Sequence, residues 1–202
     1  MAPPLQAPQS VIAGQSYAME TYAARRALGT NLNVGTKWTF FQDHTPSALE
    51  FNDLGALGVL PSNKGGAVTG IFMRRADLYN DGAPMTAAKA EANNFYWLEF
   101  MDAARVRLYI NNTLLVQHRL WALPAAAPLI GGQTSLATTA LMTTENAGPL
   151  LSHFELELPS QIPIRIEVEL TRTISQSPTA NCCYLTAGFQ AKTSTLFTAR
   201  TN

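Results

Sequence analysis

The stretch FELELPSQIPIRIEVEL, from Phe154 to Leu170, decides the fold class. Apolar residues alternate with glutamate in its first half. After a Pro-Ser-Gln break, Ile, Val and Leu alternate with Pro, Arg and Glu from Ile162 onward. Alternation with a period of two residues is typical of strands that have one face in a core and the other in water. Parallel strands that are buried on both faces lack this alternation, so the stretch predicts two strands of an antiparallel sheet.

Other strand patterns extend this prediction to the whole chain. The further strand candidates are Trp38–Gln42, Val68–Tyr79 (as one strand or two), Phe95–Met101, Arg105–Leu120 and Cys183–Ser194. Good helix formers before Gly29 predict a short helix over Tyr17–Leu28, and Thr86 is a candidate N-cap for another over Met85–Ala92. These elements predict an all-β fold, an antiparallel β-sandwich whose expected form is an eight-stranded jelly roll with one or two short helices and an N-terminal arm.

The Asn111-Asn112 dipeptide predicts a tight turn within the strand pair 105–120. A two-residue loop pairs Ile110 with Thr113. A three-residue loop instead sets Leu108 opposite Val116, which gives cleaner apolar pairs but also opposes two arginines. The sequence leaves these two registers open.

The composition along the chain predicts an arm followed by one domain. Residues 1–35 are expected to form an N-terminal arm with a short helix, because the first ten residues contain three prolines and no regular pattern. Residues 36–202 are expected to form a single sandwich domain, which is long enough to fold without a disulfide or a metal. Within it, residues 124–148 are rich in Ala, Thr, Gly and Leu and predict a long loop excursion.

Charge is scarce in this chain. Charged residues make up 14% of the sequence, against about 25% in a typical domain, and fourteen basic residues balance fourteen acidic ones. Such a neutral surface favours coverage by neighbouring subunits, and the lack of a basic run disfavours a nucleic-acid binder. We find no secretory signal pattern and no apolar run long enough to span a bilayer, so synthesis in the cytoplasm is expected.

No motif for catalysis, for a cofactor or for a metal is apparent, so no enzymatic activity is expected. The histidines are separated and lack ligand spacing: His44, His118 and His153. The adjacent Cys182 and Cys183 lack the two-residue spacer of a redox dithiol, and packing in the core is the favoured interpretation. The glutamates of the alternating strands are interpreted as a solvent face rather than as paired catalytic carboxylates: Glu155, Glu157, Glu167 and Glu169.

Two groups of residues are candidates for binding. Tyr96, Trp97 and Trp121 could present flat rings to a sugar, although aromatic residues in strands are more often core or interface anchors. Arg25 and Arg26, on the predicted first helix, could contact a neighbouring subunit or genome phosphates, with a solvated helix face as the alternative.

The chain combines a Pro-rich arm at Met1–Ser10, the strand candidates, the pair Phe154–Leu158 and Ile162–Leu170, and long neutral loops. This combination resembles the single jelly-roll coat proteins of icosahedral viruses and bacteriophages. The resemblance implies a structural virion protein without catalytic activity that is made in the host cytoplasm. Its partners would be copies of itself and other capsid proteins. Many RNA-virus coats have a strongly basic arm, whereas this arm has no basic residue before Arg25, so charge does not support genome contact. The alternative function is a carbohydrate-binding module of the lectin or spike type.

Overall fold

A computed structural model describes residues 17–43, 45–79, 82–86, 89, 93–123, 155–176 and 183–195. Within these residues the strands are β1 Tyr17–Ala27, β2 Lys37–Phe41, β3 Phe51–Asn52, β4 Lys64–Asp77, β5 Ala104–Ile110, β6 Thr113–Arg119, β7 Leu156–Leu158, β8 Ile164–Leu170 and β9 Cys183–Thr195. Helix α1 spans Asn94–Ala103, and a 3₁₀ helix, Leu120–Ala122, follows β6.

The strands form two antiparallel sheets. The five-stranded sheet has the order β3-β1-β9-β4-β7, and the four-stranded sheet has the order β2-β8-β5-β6. Residues of both sheets share one hydrophobic core, which the rings of Phe41 in β2 and Phe189 in β9 join at a centroid distance of 5.2 Å. The described residues are therefore mostly β, with one α-helix, and the predicted antiparallel sheets are confirmed.

Strand β8 lies within the alternating stretch Phe154–Leu170, and its two faces have different surroundings. Its residues Ile164, Ile166, Val168 and Leu170 are buried, and the residues between them are partly exposed. Burying one such side chain contributes about 1.5–3 kcal/mol, so a slip of one residue would move the whole apolar set into water. This penalty fixes the register of β8 between β2 and β5.

The predicted helix at Tyr17–Leu28 is wrong, because this segment is strand β1. It pairs with β9 along its whole length, buries Ala24, and stacks the ring of Tyr22 on that of Phe189 at 5.3 Å. Helix propensities differ by only tenths of a kcal/mol per residue, so this pairing outweighs them. Residues 17–27 thus belong to the sheet rather than to an arm, and residues 1–16 lie outside the described residues.

The predicted strand at Phe95–Met101 is also wrong, because it forms most of helix α1. Its buried residues are Tyr96, Trp97, Phe100 and Ala103, a spacing that follows the helical period rather than alternation. Aromatic enrichment suggested a strand. The rings instead pack along one helix stripe, and Phe100 reaches Trp38 of β2 at 5.6 Å.

The hairpin of β5 and β6 contains elements of both registers. Asn111 and Asn112 have φ values of 51° and 60°, as a two-residue hairpin loop requires, and Ile110 pairs with Thr113. A bulge at Leu115 then shifts the pairing by one residue. Beyond it the pairs are Leu108–Val116, Arg107–Gln117, Val106–His118 and Arg105–Arg119.

The remaining predicted elements have mixed outcomes. Trp38–Gln42, Arg105–Leu120 and Cys183–Ser194 are strands as predicted, and Val68–Tyr79 falls largely within the single strand β4. The predicted helix at Met85–Ala92 lies largely outside the described residues, and the loop at 124–148 lies wholly outside them.

Glu99 ties α1 to the segment that follows β8. Its carboxylate accepts hydrogen bonds from the backbone N–H groups of Ser175 and Gln176, at 3.0 and 2.9 Å, and from Arg172 at 3.1 Å. Burial alone raises the pKa of Glu99, but these hydrogen bonds outweigh it and hold the pKa below its ordinary value. The charged form of Glu99 is thus the one that stabilises the fold.

We expect Glu99→Gln to lower the free energy of unfolding at pH 7 by about 1–3 kcal/mol, because hydrogen bonds to a charged acceptor are lost. The folded-state pKa lies below the unfolded value of about 4.3. The Glu99 contribution is therefore complete above that pH and declines as pH falls through the folded pKa. Urea unfolding at pH 7 and pH 3 should show the variant's deficit shrinking in acid.

A matched control is Asp102→Asn, which also removes a carboxylate partner of Arg172 but from a side chain that is 64% exposed. It should cost less than about 1 kcal/mol. A Glu99→Gln deficit of equal size at both pH values would contradict the assigned role.

Candidate functional site

The predicted aromatic platform does not form. Tyr96 and Trp97 are fully buried on the inner side of α1, so neither ring can stack on a sugar. Trp121, in the 3₁₀ helix, is 61% exposed and is the one member of the trio that faces solvent. The correction follows from the helical conformation of residues 94–103, which turns both rings into the core.

Trp97 faces inward because a buried carboxylate satisfies its indole. Asp77, at the end of β4, accepts hydrogen bonds from Trp97 Nε1 and Asn93 Nδ2, both at 3.1 Å, and contacts Cys183 Sγ at 3.4 Å. It also forms an ion pair with Arg75, and both side chains are only 2% exposed. This cluster is closed to solvent, so we interpret it as a structural anchor rather than as a reaction site.

The cysteine and histidine residues form no site in the described part of the chain. Cys183 is buried in the core as predicted, whereas Cys182 lies outside the described residues. His118 is on β6, and His44 and His153 also lie outside. Among the described residues, no group of three His, Cys, Asp or Glu could hold a metal ion.

The glutamates of β7 and β8 lie at the surface, as predicted. Glu155 and Glu157 are exposed. Glu167 pairs with Arg165 at 3.1 Å, and Glu169 pairs with Arg107 and, at 3.7 Å, with Lys37. Glu167 and Glu169 thus form part of a charged outer face on the four-stranded sheet.

Arg25 and Arg26 lie on strand β1 and not on a helix, so they point to opposite faces of the sheet. Arg26 points inward, and its Nη1 donates to the carbonyl of Thr39 at 2.9 Å. Arg25 points outward, where its Nε donates to Thr186 Oγ1 at 3.3 Å and its guanidinium lies 4.9 Å from the Phe51 ring. The prediction that these two arginines lie on a helix is therefore wrong.

The sheet aligns Arg25 with Arg74 across β9. Both pair with Thr186, one from β1 and the other from β4. Among the described residues, neither forms an ion pair with a carboxylate, and Arg74 lies 5.5 Å from the Phe72 ring. This short cationic row is suited to an anionic group on a neighbouring molecule.

Exposed apolar side chains lie on strand β6 and on the two helices next to it. We call them the β6 rim: Phe95, Leu98, Leu114, Leu115 and Trp121. Phe95 (73% exposed) and Leu98 lie three residues apart on α1, and α1 contacts both β6 and the 3₁₀ helix. Single exposed apolar residues are common, but five around one strand mark a candidate association surface.

The β6 rim was not predicted, because Phe95 and Leu98 were placed in a strand rather than on a helix. The spacing of the aromatic residues in FYWLEFM was the signal that could have revealed the helix. The exposure of both faces of β6 depends on its position at the end of the sheet, which no local pattern encodes.

Comparison of the chain with protein-family models, with curated proteins and with solved structures gave no match. No helix in the described part of the chain is long and apolar enough to span a membrane. The function is therefore inferred from the geometry alone.

We expect Asp77→Asn to lower the free energy of unfolding by about 3–5 kcal/mol, because it removes the carboxylate that pairs with the buried Arg75 side chain. Asparagine keeps the shape of the side chain and an oxygen acceptor for Trp97. Urea denaturation measures the loss. As a control, Lys37→Gln removes an exposed ion pair and should cost less than about 1 kcal/mol. Equal losses in the two variants would contradict the anchor role of Asp77.

Proposed function

We propose that this chain is a structural virion protein, a jelly-roll capsid subunit that assembles with copies of itself and has no catalytic role. The other partners would be further capsid proteins. The site of action would be the virion, after synthesis in the host cytoplasm.

The strand pairing is the observation that carries this proposal. Apart from the two-residue strand β3, the described residues form eight strands. In chain order, the first of these pairs with the eighth, the second with the seventh, the third with the sixth and the fourth with the fifth. The four pairs are β1–β9, β2–β8, β4–β7 and β5–β6. Nested pairing over two sheets supports the jelly-roll form, in which eight strands make two Greek keys.

The surface gives independent support for self-association. The chain has a formal net charge of zero and a charged fraction of 14%, so like copies do not repel one another strongly. The β6 rim adds apolar area that a neighbouring copy would bury. Stable interfaces generally bury at least about 1,000 Å² in total.

Genome contact has weaker support. The row Arg25–Thr186–Arg74 offers two positive charges on the outer face of the five-stranded sheet. Two phosphate contacts would give a salt dependence with a slope of only about −2 in a plot of log affinity against log salt concentration. Any contact with nucleic acid would therefore be an accessory to subunit association.

Native mass spectrometry of the purified chain over a range of concentrations tests the proposal. We expect dimers and larger assemblies whose abundance increases with concentration, since buried neutral surface drives their formation. Negative-stain microscopy of the same samples should show rings or shells. A protein that remains monomeric at the highest attainable concentration would contradict the proposal.

Exposed Trp121 favours a second candidate function, carbohydrate binding through ring stacking. A glycan array probed with the wild-type chain and with Trp121→Ala separates the two candidates. Carbohydrate binding predicts hits that the variant loses. An array without hits, or hits that Trp121→Ala retains, would remove this candidate.

A further inference from the structure

Three of the four sheet edges in the described part of the chain are protected against pairing with another strand. Exposed edges present unpaired backbone groups, and natural proteins keep them short, charged or covered. The edge strands of the five-stranded sheet, β3 and β7, are only two and three residues long. Each offers too little backbone for a stable ladder.

Edge strand β2 is protected by side chains. The carbonyl of Thr36 accepts a hydrogen bond from the N–H of Leu170 in β8. Carbonyls of successive residues in a strand point to opposite sides, so those of Thr39 and Phe41 face the free edge. Arg26 Nη1 donates to Thr39 at 2.9 Å, and Asn52 Nδ2 donates to Phe41 at 2.7 Å. Both acceptors are therefore occupied from within the chain.

Edge strand β6 has none of these protections. It is seven residues long, contains no proline, and carries Arg119 as its only Lys, Arg, Asp or Glu. Arg119 turns back toward α1, where its Nη1 lies 3.4 Å from the carbonyl of Asp102. Within the described residues, hydrogen bonds to the β6 backbone come from β5 alone. The bulge at Leu115 lies near the turn and leaves residues 116–119 in a regular ladder.

The register shows which backbone groups of β6 face the free edge. The two-residue loop closes on the pair Ile110–Thr113, whose backbone groups face each other, and the N–H of Asn111 instead donates to Pro163 beside β8 at 2.9 Å. The backbone N–H and C=O groups of successive β5 residues face β6 and β8 in turn. Because those of Ile110 face β6, those of Arg107 and Arg105 face β8. Their partners in β6, Gln117 and Arg119, then direct theirs away from β5, to the free edge.

We propose that β6 pairs in antiparallel fashion with β6 of a second copy about a two-fold axis, which joins the two four-stranded sheets into one sheet of eight strands. This inference rests on the proposed self-association and names its contact. A two-fold interface places the same patch on both copies, so one unprotected edge supplies both halves.

The charges and the apolar residues favour a second copy as the occupant. An axis near His118 sets Arg119 opposite Gln117 of the second copy, and the backbone groups of both residues face the free edge, so like charges are not directly opposed. Leu114 and Leu115 at one end of β6 and Trp121 beyond the other are exposed, and the pairing would bring the leucines of one copy toward the tryptophan of the other.

Gln117→Pro tests the pairing, with Gln117→Ala as the matched control. Both variants lose the hydrogen bond from Arg107 Nε to Gln117 Oε1, but only proline removes the backbone N–H that faces the free edge. We expect Gln117→Pro to weaken dimerisation by about tenfold or more in sedimentation equilibrium, because the change occurs twice per dimer, and Gln117→Ala to retain it. A folded Gln117→Pro that dimerises like the wild type would overturn the proposal.

Amide hydrogen exchange of the wild-type chain tests the β6 pairing even if Gln117→Pro fails to fold. The amides of Gln117 and Arg119 should be protected at high concentration and exchange rapidly on dilution. Rapid exchange within the oligomer would overturn β6 pairing while leaving self-assembly intact. Protection that is independent of concentration would show that the chain covers its own edge and would also overturn the pairing. A wild-type chain that is always monomeric would contradict the proposed function itself.

Discussion

The pairing of β9 between β1 and β4 is the constraint on which the rest of the structure depends. The last described strand lies beside the first, and the residues from Cys183 to Phe189 are all buried. Joining the two ends of the described chain in this way leaves the strands between them to pair in nested order. The same wrapping leaves β5 and β6 at one side of the four-stranded sheet, with α1 beside them.

The sequence revealed the strands whose two faces have different surroundings. Strand β8 alternates because it has a core face and a face of ion pairs, so its period could be read directly. Strand β1 was predicted as a helix because its sequence is rich in alanine. Helix α1 was predicted as a strand because its sequence is rich in aromatic residues. In both cases long-range packing, of Tyr22 on Phe189 and of Trp97 near Asp77, outweighed local propensity. The exposure of Trp121 and the burial of Tyr96 could not be predicted for the same reason.

The edges of the sheets connect the fold to the proposed function. Arg26 was a candidate for binding a partner, yet it protects β2 from one by occupying the Thr39 carbonyl. Asn52 does the same at Phe41. Polar side chains thus block strand addition at one edge of the four-stranded sheet, while the other edge is β6, whose backbone no side chain of the described residues covers and whose surroundings include the β6 rim. Such asymmetry would direct the proposed association to the β6 edge alone.

Cryo-electron microscopy of the assembled protein tests the central claim most directly, at a resolution that separates individual strands. We expect neighbouring copies related by a two-fold axis, with β6 of one copy hydrogen-bonded to β6 of the other in a continuous eight-stranded sheet. Particles that contain single subunits only, or assemblies in which β6 faces solvent, would contradict it.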